Sequence, residues 1–90
     1  MSRAIQFQRF GDADVLEIIE RADPHPAAGE VLIETEALGL NWYDILWRRN
    51  MAPTEARLPA GTGSEMAGTV IAVGPGVTAF SPGERVASIP

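Results

Sequence analysis

The sequence contains no cysteine and a single histidine, and these shortages exclude several kinds of site. Without cysteine the chain forms no disulfide and no thiolate metal site. A closed zinc site is built mainly from cysteine and histidine, and one histidine cannot supply it. Scattered Asp and Glu leave a carboxylate cation site open, but no spacing indicates one. We therefore predict no metal, and we interpret His25, which stands between two prolines, as a surface residue.

Positive charge and long apolar runs are also scarce. Seven basic residues stand against twelve acidic ones, and the net charge of −5 argues against a nucleic-acid partner. No stretch approaches the roughly 20 apolar residues of a membrane span. The first ten residues lack the unbroken apolar core of a signal peptide. We expect neither nucleic acid nor a membrane as partner, and a cytoplasmic location.

What the sequence does contain is enough apolar material for one small core. Hydrophobic residues make up 46% of the 90 residues, which suffices for a single domain of modest stability or for a piece of a larger one. We treat residues 1–90 as one domain, since no internal repeat or low-complexity segment divides them.

The hydrophobic periodicity predicts a mainly β fold with minor α content. Ile5 and Phe7 alternate with glutamines, which is typical of a half-buried strand. A type II turn is predicted with Pro82 and Gly83 at its centre. The last strand has no obvious partner, which we interpret as truncation in mid-fold. Short strands with tight turns favour a small barrel or sandwich, and the predicted strands are residues 4–10, 16–21, 30–40, 69–73 and 85–89.

The period changes to that of a helix over residues 41–49. Asn41 suits the N-cap, and Asp44 three residues later can reach back to it or meet the helix dipole. A second interpretation places the Asn41 amide at a cleft, where it both donates to and accepts from a polar ligand. Trp42, Tyr43 and Trp47 are most simply core or interface residues, and the Tyr43 hydroxyl can also line a pocket mouth.

Residues 61–68 are rich in glycine but do not form a phosphate-binding loop. Their spacing differs from G-x-G-x-x-G, and they precede a strand rather than a helix. We predict that these glycines permit close backbone packing. Ser64 has no histidine neighbour to act as a base, so a serine nucleophile is not indicated.

Four blocks, taken in order, resemble the N-terminal part of a medium-chain dehydrogenase/reductase. They are residues 26–33 (PAAGEVLI), 39–44 (GLNWYD), 58–70 (LPAGTGSEMAGTV) and 73–86 (VGPGVTAFSPGERV). The chain is most similar to the quinone oxidoreductase branch and to enoyl-reductase domains of polyketide synthases. This resemblance implies a truncated, partly open GroES-like β-barrel. It also implies a Rossmann domain that binds NADPH, which this chain does not contain.

The resemblance further implies how the site is built. Zinc-dependent members carry a cysteine at the position of Asn41 and a histidine at that of Ser64, so it implies the zinc-independent branch. In quinone-reductase relatives the asparagine lies beside the nicotinamide, which assigns catalytic and cofactor-binding roles to Asn41. Trp42 and Tyr43 are the expected substrate-pocket residues. A tyrosine common in those relatives is replaced here by Leu46.

The function implied is that of an N-terminal substrate-domain fragment of an NAD(P)H-dependent oxidoreductase. The full-length enzyme would reduce quinones, enones or alkenals by hydride transfer and form a homodimer, and the fragment alone would be inactive. Two alternatives stay open. One is an enoyl reductase or alcohol dehydrogenase relative, and the other is a stand-alone binding module like the co-chaperonins.

Overall fold

The computed structural model describes residues 1–88 and contains mostly strands with one short α-helix, which confirms the predicted fold class. The strands of this described part form two three-stranded sheets and close no barrel. A short 3-10 helix also occurs at Ala13–Val15. The main elements are β1 (Ser2–Phe7), β2 (Leu16–Arg21), β3 (Val31–Leu38), α1 (Trp42–Arg48), β4 (Ala60–Gly61), β5 (Met66–Val73) and β6 (Arg85–Ala87).

The first compact unit contains residues 1–23 and 40–64. Its sheet has the order β2-β1-β4, and β1 is antiparallel to both neighbours. Phe10, Leu16 and Trp47 pack around the core of this unit. This packing holds α1 against the sheet of its own unit. The buried core residues are Phe7, Val15, Ala56 and Ala60.

The predicted inward face of β1 is only partly correct. Phe7 is fully buried, but Ile5 is 46% exposed and its cross-strand partner Ile18 is 72% exposed. β4 pairs only with Gln6 and Phe7, and the buried residues cluster around Phe7. The core of the unit therefore lies at the Phe7 end of the sheet, where β1 also ends, three residues earlier than predicted.

The second unit contains residues 24–39 and the described residues from 65 onward. Its sheet has the order β3-β5-β6, with the fully buried Val70 on the central strand. The expectation that the last strand lacks a partner is wrong, because β6 pairs antiparallel with β5. Ile89, which the sequence assigned to this strand, lies outside the described residues.

Close packing and turn geometry explain the glycines of this unit. A Cβ atom at Gly68 would lie 2.1 Å from the backbone oxygen of Glu34, so only glycine fits there without a shift. Gly83 has a φ of 97°, and the Glu84 N–H donates to the Ser81 carbonyl at 3.2 Å. The packing role predicted for the 61–68 glycines is thereby confirmed at Gly68 but not at Gly61 or Gly63, where an added Cβ would meet nothing closer than 3.9 Å. The type II turn at residues 81–84 is confirmed.

A bulge in β3 produces a polar link across all three strands of the second unit. The register shifts between Thr35 and Ala37, which leaves Glu36 as an extra residue. Its carboxylate accepts hydrogen bonds from the Thr69 hydroxyl at 2.6 Å and from the Arg85 guanidinium at 2.9 Å. The Thr69 hydrogen bond, followed by the charge of Arg85, holds the pKa of Glu36 below its usual range.

Candidate functional site

The start of α1 is set by a polar cap, as the sequence predicts. Asn41 has extended backbone geometry and forms a capping box with Asp44, the third helical residue. The Asn41 N–H donates to Oδ2 of Asp44 at 3.1 Å, and the Asp44 N–H donates to the Asn41 backbone carbonyl at 3.0 Å. The cap therefore ties the first turn of α1 to a defined starting point.

One face of α1 carries two aromatic side chains that touch. Tyr43 and Trp47 are four residues apart, the spacing at which helix residues are neighbours. Their ring centroids lie 6.4 Å apart with an interplanar angle of 22°. The indole N–H of Trp47 donates to the backbone oxygen of Gly61 at 2.9 Å. Trp47 thus joins the helix to the end of β4, from which the segment 61–64 continues.

Between this helix face and that segment lies a cavity of about 210 Å³. Both groups of lining residues belong to the first unit. One of them, Gly63, has a φ of 101°, a left-handed conformation that glycine adopts without strain. The lining therefore combines two aromatic rings, one carboxylate and exposed backbone. The residues that line it are Tyr43, Asp44, Trp47, Gly61, Gly63 and Ser64.

The predicted site residues occupy different places around this cavity. Tyr43 lines it. Asn41 is the N-cap of the helix that supplies three of the lining residues, and Asn41 itself is partly buried. Trp42 is 68% exposed and does not line the cavity. The catalytic, cofactor-binding and substrate-pocket roles assigned to these three residues stay predictions.

Two features of the lining are not predicted from the sequence. Trp47 packs against the core, as predicted, but it also lines the cavity, and its four-residue spacing from Tyr43 is the signal that both rings share a helix face. The wall formed by Gly61 and Gly63 gave no signal, since it depends on the distant pairing of β4 with β1. His25 is exposed in the structure, as predicted.

The described residues lack two features that would indicate other classes of protein, a metal-binding cluster and a membrane-spanning helix. Within residues 1–88, no group of three or more His, Cys, Asp or Glu side chains is arranged to hold a metal ion. No helix in the same range combines the length and apolar character needed to cross a membrane.

Comparison with known proteins provides the family. The sequence model described as "Alcohol dehydrogenase GroES-like domain" matches residues 27–90, which is well over half of the chain. The chain belongs to this family. This membership confirms both the resemblance to medium-chain dehydrogenase/reductases and the GroES-like fold expected from it.

Two curated relatives of this GroES-like domain are named as reductases. The chain is 42% identical over 87 residues to a quinone oxidoreductase of Pseudomonas aeruginosa, covering 97% of this chain and 26% of that protein. It is 41% identical over 73 residues to acryloyl-coenzyme A reductase of Metallosphaera sedula, covering 81% of this chain and 22% of that protein.

A solved structure shows the same arrangement of strands and helix. The Escherichia coli quinone oxidoreductase complexed with NADPH matches with a TM-score of 0.89 and 36% identity. The match covers 96% of this chain and 26% of that one. The GroES-like domain described here therefore spans about a quarter of the length of the relatives it matches.

Proposed function

We propose that this chain is the N-terminal part of the substrate domain of an NADPH-dependent oxidoreductase that reduces quinones or activated alkenes. The observation that carries the proposal is the match over 96% of the chain to a quinone oxidoreductase complexed with NADPH. In this proposal the full-length protein acts in the cytoplasm as a homodimer on small molecules. The 90-residue chain alone has no activity, because most of the enzyme lies outside it.

The chemistry proposed for this site does not use zinc. The two positions that hold zinc ligands in metal-dependent members carry Asn41 and Ser64, and the chain has no cysteine. Without a metal as Lewis acid, hydrogen-bond donors must stabilise the negative charge that develops on the substrate oxygen. The amide of Asn41 is such a donor, and the capping box fixes its backbone at the start of α1.

In this proposal the described residues meet only the nicotinamide end of NADPH. The glycine-rich residues 61–68 lead into strand β5, so they do not form the strand, turn and helix that bind a pyrophosphate. The rest of the protein must therefore hold the phosphates, and Asn41 is the group here that suits the polar nicotinamide carboxamide. When bound, NADPH supplies the hydride.

Replacement of Asn41 in the full-length protein tests the proposal. Serine caps a helix about as well as asparagine, so Asn41→Ser keeps α1 while removing the amide. We expect NADPH oxidation with a quinone acceptor to fall about 10-fold or more, which is less than the roughly 100- to 1,000-fold loss when an oxyanion donor is removed outright, because serine keeps a shorter donor. Steady-state rates of NADPH absorbance loss give kcat, and thermal melting checks that the fold is retained.

Asn41→Ala is the matched variant, since it removes the amide and the cap together. It should lose at least as much turnover as Asn41→Ser and in addition about 1 kcal/mol of stability. If Asn41→Ser has the wild-type rate while Asn41→Ala is only less stable, Asn41 is a cap and has no part in catalysis.

A second candidate, an enoyl reductase acting on a conjugated thioester, is favoured by the similarity to acryloyl-coenzyme A reductase. The same hydride chemistry serves both acceptors, so the two candidates differ in substrate rather than in mechanism. Comparing kcat/KM for a quinone and for an acryloyl thioester in the full-length protein separates them. A preference of more than about 10-fold, or about 1.4 kcal/mol, would decide between them.

A further inference from the structure

Trp47 is held more firmly than the other residues that line the cavity. Its indole packs against the buried cluster around Phe7, and its N–H donates to the Gly61 carbonyl at 2.9 Å. Its ring also stacks with Tyr43 at a centroid distance of 6.4 Å. Three contacts in different directions therefore fix the position of this one side chain.

Both sides of the cavity depend on this placement. Tyr43, on the helix side, is 43% exposed and stacks on Trp47. Gly61, on the opposite side, is joined to Trp47 by the indole hydrogen bond. Both rings line the cavity together with Gly61 and Gly63.

The chemistry of this surface favours one class of acceptor. The faces of tyrosine and tryptophan rings are electron-rich, and offset stacking with another ring is attractive at centroid distances of about 4.5–7 Å. A quinone ring is planar and electron-poor, so it complements these faces, whereas a short alkenal has no ring to stack. The cavity of about 210 Å³ is open to solvent and smaller than the roughly 300 Å³ at which drug-sized pockets begin, so its volume alone does not select among acceptors and selectivity must come from the two rings.

We propose that Trp47 determines acceptor specificity, because its indole, fixed by the Gly61 carbonyl, forms with Tyr43 the surface on which a planar quinone ring stacks. This inference rests on the proposed function and deepens it by naming ring-shaped acceptors as the substrate class. Trp47 is thus a binding and specificity residue, with no role in the transfer of hydride itself.

The test compares two acceptors in the full-length protein, 1,4-naphthoquinone and crotonaldehyde. Trp47→Leu should raise the KM for naphthoquinone about 3- to 10-fold, the range given by the loss of one aromatic stacking contact. The kcat values and the KM for crotonaldehyde should stay within about twofold of wild type. Trp47→Phe retains a ring and should restore most of the naphthoquinone affinity.

A matched control and a second variant separate binding from folding. Phe10 packs against the same core as Trp47 but does not line the cavity, so Phe10→Leu should leave the ratio of the two KM values unchanged. Tyr43→Leu, at a 43% exposed side chain, tolerates truncation and should raise the same KM even if Trp47→Leu does not fold. Equal effects on both acceptors, or a shifted ratio in Phe10→Leu, would overturn the inference.

An equilibrium measurement keeps this inference distinct from the proposed function. A stacked quinone quenches tryptophan fluorescence, so quenching by 1,4-naphthoquinone should saturate in the wild type and should need a higher quinone concentration in Tyr43→Leu, which keeps both tryptophans of this chain. If the protein oxidises no NADPH with either acceptor, the proposed function fails, and the quenching result alone decides about the stacking site of Tyr43 and Trp47. An unchanged half-saturating concentration in Tyr43→Leu refutes the inference, whatever the activity.

Discussion

Replacing Gly68 by alanine should separate two paired strands of the second unit. Gly68 on β5 lies opposite Thr35 on β3. An added Cβ would lie 2.1 Å from the Glu34 backbone oxygen and 2.8 Å from Cγ2 of Ile33. The oxygen is part of the backbone and cannot rotate away, so relief requires β3 and β5 to move apart.

The cost follows from this geometry. Overpacking of this kind costs about 1–3 kcal/mol, and each ladder hydrogen bond weakened by strand separation adds about 1 kcal/mol. We therefore expect Gly68→Ala to lower the free energy of unfolding by roughly 2–4 kcal/mol. A domain of this size has a stability of only about 5–13 kcal/mol in all, so the loss is a large fraction of it.

The assay combines urea unfolding with hydrogen exchange of backbone amides in the full-length protein. The amides of Val70 and Ser88, which donate to Glu84 and Met66, report on the second unit. They should exchange much faster in Gly68→Ala than in the wild type.

Gly61→Ala is the matched control for this experiment. An added Cβ at Gly61 would meet nothing closer than a backbone oxygen at 3.9 Å, so the expected change is within about 0.5 kcal/mol. If the two alanine variants are equally stable, the close approach at Gly68 does not constrain the fold and the reasoning is refuted.

Two further predictions concern the core and the polar link. Phe7→Ala removes a fully buried ring and should lower the free energy of unfolding by about 3–5 kcal/mol in urea titrations; a smaller change would mean that the cavity collapses. Because the Thr69 hydrogen bond and then the Arg85 charge lower the pKa of Glu36, its stabilising contribution is complete above its unfolded pKa of 4.5. That contribution is lost as pH falls through the lower folded value, so Glu36→Gln should show a smaller fall in Tm on acidification.

Much of the local structure was predictable because it depends on neighbouring residues. The N-cap at Asn41 and the turn at residues 81–84 follow from short-range hydrogen bonding and from glycine with positive φ. β2 was predicted with its observed bounds, Leu16–Arg21. The family was also predictable, since it is recognised from short blocks whose order along the sequence does not depend on the folded structure.

The errors occurred where distant parts of the chain meet. Ile5 and Ile18 are exposed although they stand opposite each other in the sheet, and no pattern around residue 60 predicts the short strand β4. The regular strand predicted over residues 30–40 is interrupted at Glu36, where a bulge shifts the register. The pairing of β6 with β5 joins distant parts of the sequence, so no local pattern predicts it.

The candidate site divides along the same line. The amino-acid sequence alone determined that this chain forms no thiolate metal site, since it encodes no cysteine, and it determined where α1 begins. Only the tertiary structure decided that the Trp47 indole meets the Gly61 carbonyl across fourteen positions of sequence. That contact requires β4 to pair with β1, and such long-range pairing depends on the packing of the whole unit rather than on local preference.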